Sequence, residues 1–242
     1  MRKNLFVACL CALAMTFGAA SAALAGSTPG SGIVGSKHDM RLYAGVNGGH
    51  VDEHGRVCAY CHTPHHAVED TDADYMPLWS RAVTEYSTFT PYKSNTFSFT
   101  NQIADPVAGP SRLCMGCHDG MVAIDAYYGK PGNALLVEGD SFQEIGVGQN
   151  ADLSNDHPIG FYWDETADVQ GEIAATTAQF QGAASPVTIA DVLYDTTPGT
   201  AGGEIMTCAT CHDVHNGPSV ADYWFLYGKQ QDSAFCTTCH LK

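Results

Sequence analysis

The sequence predicts an irregular fold, mostly coil, with short α-helices and few β-strands. Three observations predict it. Proline and glycine interrupt the chain repeatedly, at Thr90-Pro91, Asp105-Pro106, Gly109-Pro110, Thr197-Pro198-Gly199 and Gly217-Pro218, and such pairs mark turns rather than element interiors. Helical signals are weak and local. The chain is organised instead around four copies of one five-residue pattern, Cys-x-x-Cys-His, at 58–62, 114–118, 208–212 and 236–240.

That pattern is the attachment signature of c-type haem: two cysteines form thioethers with the porphyrin, and the next residue is placed to bind the iron. A zinc knuckle, a redox dithiol or a disulfide also uses Cys-x-x-Cys, but none of them requires histidine next. Histidine fills 11 of 242 positions, so four such neighbours arise by chance with a probability of roughly 4 in a million. The expected cofactor is therefore four haem c groups. They are attached through Cys58 and Cys61, Cys114 and Cys117, Cys208 and Cys211, and Cys236 and Cys239, with His62, His118, His212 and His240 as iron ligands. The fold class sharpens to a haem-packed multihaem cytochrome c.

Arg2 and Lys3 precede an apolar run over 5–17, and Ala23-Leu24-Ala25 supplies a small-residue cleavage box before Gly26. Residues 1–25 read as a secretory signal peptide, too short to remain as a membrane span. Residues 26–242 read as a single tetrahaem domain, exported to the cell surface or beyond, with the periplasm as the alternative. These 217 residues carry 9 Lys+Arg against 26 Asp+Glu, a net charge of −17. Such acidity argues against nucleic acid as a partner and is compatible with cationic redox partners or metal oxides. With 217 residues over four sites, each haem has about 54 residues. That is few for a conventional core, so the haems themselves are expected to supply buried apolar surface.

The segment over about 131–200 holds no attachment site. It reads as loops and small strands, with a β-prone piece at 186–189. Small and apolar residues at helical spacing predict a helix over 114–128, ended by Gly129. No repeat beyond the five-residue pattern is evident. Trp79, Tyr127, Tyr128, Trp163, Tyr223 and Trp224 are candidates to cover haem edges.

What fills each iron's second axial position separates electron transfer from substrate chemistry. Seven histidines lie outside the motifs after residue 25: His38, His50, His54, His65, His66, His157 and His215. His65 and His215 each follow a motif histidine by three residues. They lie on the same side of the haem as that histidine, so they are expected to reach a neighbouring haem. His66 competes with His65. His157 lies in Asn155-Asp156-His157-Pro158, where proline holds the preceding residue extended and Asp156 or Asn155 can orient the ring. His38 is the fourth choice, with His50 and His54 behind it. Met40, Met76, Met121 and Met206 are expected to pack rather than ligate, because histidine is in surplus.

Lys37-His38-Asp39, Cys61-His62-Thr63-Pro64-His65, Pro77-Leu78-Trp79, Cys117-His118-Asp119-Gly120, residues 152–158 and Cys211-His212-Asp213-Val214-His215 occur in that order. With these motifs the chain resembles the exported multihaem c-type cytochromes of metal-respiring bacteria, most closely the tetrahaem OmcE-like extracellular cytochromes. The resemblance implies bis-histidine irons, with His38, His65, His157 and His215 as distal ligands. It also implies a homopolymer built by head-to-tail contacts, in which one axial histidine is donated to the adjacent subunit. His65 is the expected donor. Only two residues follow His240, so cover for the last haem is expected either from a neighbouring copy or equally from earlier parts of the same chain; a head-to-tail contact that does not close would generate a filament.

The leading functional expectation is thus a non-enzymatic electron conduit in an extracellular filament, fed and drained by redox proteins or metal oxides. A monomeric periplasmic tetrahaem shuttle is the alternative. A multihaem reductase would need an open iron, and no Cys-x-x-Cys-Lys variant is present. A structural fibre with incidental haems fits poorly with four sites in 217 residues.

Overall fold

In the computed structural model, residues 32–43, 49–69, 74–84, 88–97, 103, 105–133, 146–163, 171–183, 186–197, 203–215 and 224–241 are described. The signal segment over 1–25, Tyr223 and parts of 131–200 lie outside them.

Coil dominates, as the sequence predicts. Among the described residues there are four short α-helices, α1 (Pro110–His118), α2 (Ile189–Val192), α3 (Cys208–Cys211) and α4 (Cys236–Cys239), and one two-stranded antiparallel sheet, β1 (Tyr194–Asp195) with β2 (Glu204–Ile205). Single turns of 3-10 helix lie at Met40–Leu42, Val57–Tyr60, Gln149–Ala151 and Gln231–Ser233. None of these helices is long and apolar enough to cross a membrane.

The helix expected over 114–128 is displaced. It starts at Pro110, whose fixed φ and missing N–H suit the first helical position. It stops at His118, where the Asp119 N–H closes on the Met115 carbonyl at 2.7 Å. The Asp119 carboxylate then accepts the Met121 N–H at 2.9 Å, and Gly120 turns the chain at φ 83°. The Asp-Gly pair is therefore the stop signal, ten residues before Gly129. The β-prone piece at 186–189 makes only an isolated bridge, Gln179 to Thr188, before entering α2. There the Asp191 carboxylate accepts the Thr188 N–H at 2.9 Å and its hydroxyl at 2.6 Å, which fixes the helix start.

The hydrophobic core is divided into small clusters, and each lies beside a Cys-x-x-Cys-His segment. Met40, Ala59, Tyr60 and Tyr127 surround the first. Val122, Ala123 and Ala126 follow the second. Phe89, Val107, Met115 and Leu153 join the second to Cys208 of the third. Phe161, Trp163, Ala174, Phe180, Ile189 and Met206 pack against Cys211 and Cys239. Among the described residues no sheet or helix layer joins these clusters, so local contacts connect the segments. One such contact is α1 against α3, where the Ser111 hydroxyl accepts the Cys208 N–H at 3.0 Å.

Candidate cofactor-attachment site

Three of the four segments are built alike. At the first, third and fourth, the backbone leaves its helical turn and extends at the histidine, which then forms a single antiparallel bridge with a distant strap: His62 with Trp79, His212 with Leu226, His240 with Ile173. The same ladder repeats at each. The Ser80, Tyr227 and Ala174 N–H groups donate to the carbonyls of Cys61, Cys211 and Cys239, at 2.9, 3.2 and 2.9 Å. The Thr63, Asp213 and Leu241 N–H groups donate to Leu78, Phe225 and Glu172, at 2.8, 2.7 and 2.8 Å. The second segment differs: His118 stays inside α1, and its carbonyl accepts the Val147 N–H at 2.8 Å. The backbone thus carries a repeat longer than the five residues read from the sequence.

The straps also set the imidazole tautomer. His62 Nδ1 lies 2.7 Å from the Pro77 carbonyl, and His212 Nδ1 lies 3.0 Å from the Trp224 carbonyl. A carbonyl only accepts, so Nδ1 carries the proton, and Nε2 is the nitrogen whose lone pair is free in the neutral ring. In both straps the carbonyl belongs to the residue two before the bridge partner. The next residue has positive φ, 53° at Leu78 and 65° at Phe225. His157 Nδ1 is likewise 3.1 Å from the Pro158 carbonyl, so the backbone, not Asp156 or Asn155, fixes that ring.

Three motif histidines each face a histidine from elsewhere in the chain. The ring centres of His62 and His215 are 6.1 Å apart, of His118 and His38 6.2 Å, and of His240 and His157 6.2 Å. Their planes cross at 30°, 79° and 69°. The spacing is constant while the angle is not, as expected if distance rather than ring contact is the constraint. A metal held between two imidazoles, with bonds of about 2 Å to each ring nitrogen, separates the ring centres by about 6.3 Å. Among the described residues no group of three or more His, Cys, Asp and Glu side chains is arranged to hold a bare metal ion. Opposed pairs suit a metal whose other four positions come from a planar macrocycle, so the residues present fit a haem. Burial, then the neighbouring rings of His118, His212 and His215, hold His38 down to about 4, which keeps it a neutral donor.

The eight described cysteines are all free of disulfides. Burial pushes Cys61 up to about 11, Cys211 up to about 12 and Cys239 up to about 11. The Cys114 thiol is hydrogen-bonded to Cys208, bringing the second and third segments together.

The remaining residues singled out in the sequence divide. His65 and His66 are exposed, and the Thr63 hydroxyl donates to the His65 carbonyl at 2.6 Å. His54 is exposed. His50 is half-buried, its N–H donating to Asp125 at 2.7 Å. His212 has no opposed histidine ring among the described residues. Met40 and Met206 are buried in clusters, and Met121 is partly buried against one. Trp79 stands edge-on to His62 at 5.5 Å, Trp163 is core, Tyr127 packs on Tyr60, Tyr128 lies under Arg56, and Trp224 is exposed. Phe225, which stacks on His38 at 4.6 Å, carried no signal in the sequence.

Residues 198–242 match the family model described as the doubled CXXCH motif. No curated protein matches the chain. The matched segment holds the third and fourth sites. The paired motif indicates covalently bound haem c, and it points to electron transfer rather than catalysis.

Proposed function

We propose that all four segments carry haem c and that the protein passes electrons along them as the subunit of an extracellular cytochrome filament. The observation that carries the reading is the set of three opposed histidine pairs at 6.1–6.2 Å. On this reading His62 and His215 bind the first iron, His118 and His38 the second, and His240 and His157 the fourth. Haem supplies a one-electron couple at each site. The chain's part is to hold two neutral imidazoles on each iron, exclude water from the axial positions and keep neighbouring sites close.

The third site supports the assembly. His212 is oriented by the Trp224 carbonyl; His38 and His118 lie near enough to interact with it electrostatically, but His38 already faces His118 and no histidine ring is opposed to His212 among the described residues. His65 is exposed beside the first site. The His65 ring of a neighbouring copy then completes the iron at His212, and this head-to-tail exchange propagates. The acidic surface suits a donor or acceptor of opposite charge, a basic redox protein or a metal oxide.

Electron microscopy of the native secreted protein, with and without His65→Ala, tests this. Long uniform fibres that disappear in the variant, with four haems per chain retained, support the filament. Discrete particles from the unaltered protein, with a fully low-spin ferric spectrum, would leave the monomeric periplasmic shuttle.

A further inference from the structure

Trp224 and Phe225 are consecutive aromatic residues with φ of 47° and 65°. Non-glycine side chains rarely adopt this left-handed region because it strains the backbone. Two in succession persist only where the surroundings fix them. Here the fixing contacts lead to two different sites. The Trp224 carbonyl accepts the His212 Nδ1 proton. The Phe225 carbonyl accepts the Asp213 N–H at 2.7 Å. The Phe225 ring, 6 % exposed, lies parallel to the His38 ring, with centres 4.6 Å apart and planes inclined by 10°. His38 in turn crosses His118 at 79°.

We infer that the Trp224-Phe225 turn is a shared positioning element. Its carbonyl sets the ring orientation at the third site, and its phenyl face sets the plane of His38 at the second. The equivalent strap at the first site shows what the aromatic ring adds. Leu78 has the same backbone role and positive φ, but its side chain is 56 % exposed and presents no aromatic face. There the pair His62 and His215 closes to 30°. The phenyl face stacked on His38 holds the plane of that ring, and with it the crossing angle of the second pair. Since the angle between two axial imidazoles shapes the ferric signal, crossed planes giving a highly anisotropic low-spin spectrum and near-parallel planes a rhombic one, Phe225 acts on the electronic state of that site through His38.

The inference rests on the haem reading above, and one experiment separates their failures. Electron paramagnetic resonance of the ferric holoprotein is compared for the unaltered chain, Phe225→Leu and Phe225→Tyr, after haem per chain is counted. The unaltered chain should show both signal types. Phe225→Leu should lose one highly anisotropic component and gain intensity nearer the rhombic type, while Phe225→Tyr, which keeps the flat face, should restore the original spectrum. An unchanged spectrum in Phe225→Leu with full haem content overturns the inference. So does failure of Phe225→Leu to load haem while Phe225→Tyr loads normally, which assigns Phe225 to folding alone. Absence of covalent haem from the unaltered protein removes the underlying reading instead.

Discussion

His62 and His215 face each other with ring centres 6.1 Å apart and planes 30° from parallel, although one belongs to the first motif and the other follows the third. A residue three positions after a motif histidine stays on that histidine's side of its own cofactor. Its approach to a different motif therefore ties two sites together. His215→Ala should open one axial position. The expected outcome is a high-spin ferric component equal to one site in four, measured by optical and paramagnetic resonance spectra, with covalent haem content unchanged. A fully low-spin spectrum in the variant would remove His215 from the ligand set.

Arg81 is a buried side chain that meets no carboxylate among the described residues. It is 3 % exposed, and its guanidinium donates to the main-chain carbonyls of Tyr60 and Ile124, each at 3.4 Å, and to that of Ala123. It also touches the Cys61 sulfur. Its Nε has no partner, and among the described residues no carboxylate forms an ion pair with it. A buried positive charge beside the first attachment site favours the more electron-rich state there. At about 10 Å and an effective dielectric of about 20, one unit charge is worth about 1.7 kcal/mol, or roughly 70 mV for one electron. Arg81→Gln should lower the midpoint potential of the nearest site by tens of millivolts, and Arg81→Lys should shift it less. Spectroelectrochemical titration of both variants checks the sign, and a rise in Arg81→Gln would contradict it.

Gly160 marks a crossing of two segments. It has φ 77°, and a Cβ there would collide with the Asp105 carbonyl and Pro106. Both obstacles are backbone, so neither can swing away. The Gly160 N–H also donates to the Met206 carbonyl at 2.7 Å, which ties the crossing to the residues just before α3. Gly160→Ala should destabilise the protein by roughly 1–3 kcal/mol from backbone strain alone, with the clash added. A thermal midpoint equal to that of the unaltered chain would show that the crossing is less tight than drawn.

The candidate attachment motifs stand out in the sequence because haem attachment demands fixed residue types at fixed spacing. The irregular fold was legible from proline and glycine. The straps were not. Each meets its motif through a single bridge and a short ladder, as at Ile173 with His240, and so short a contact leaves no alternation of apolar and polar residues to read. Phe225 was equally hidden: a lone aromatic gives no sign that it will lie flat on His38, far away in sequence. The end of α1 was misjudged because apolar residues after Cys117 continue the helical spacing. They are buried by the turn that Asp119 and Gly120 impose, not by a helix. For His38 and His157, nothing in their sequence neighbours specifies which motif each will face.

Asp52 makes an acid-sensitive brace for the first site. Its carboxylate accepts the Arg56 N–H at 2.6 Å and the Arg56 guanidinium, with Nη2 at 2.6 Å. The Asp52 N–H donates to the Tyr60 hydroxyl at 3.0 Å, so the brace reaches the residue just before Cys61. The hydrogen bond from Arg56 is the main cause that lowers the Asp52 carboxyl from 3.8 to about 2. A folded value below the unfolded one means that the folded state favours the ionised form. The stabilisation is therefore present in full above about pH 4 and fades as pH falls through about 2. Hydrogen exchange over residues 52–60 should be slower in the unaltered protein than in Asp52→Asn at pH 5. The difference should shrink as pH falls through about 2, where the folded carboxylate is half protonated, and vanish below that. A difference that persists unchanged to pH 2 would mean that asparagine perturbs the segment by shape, and that the charge of Asp52 contributes little.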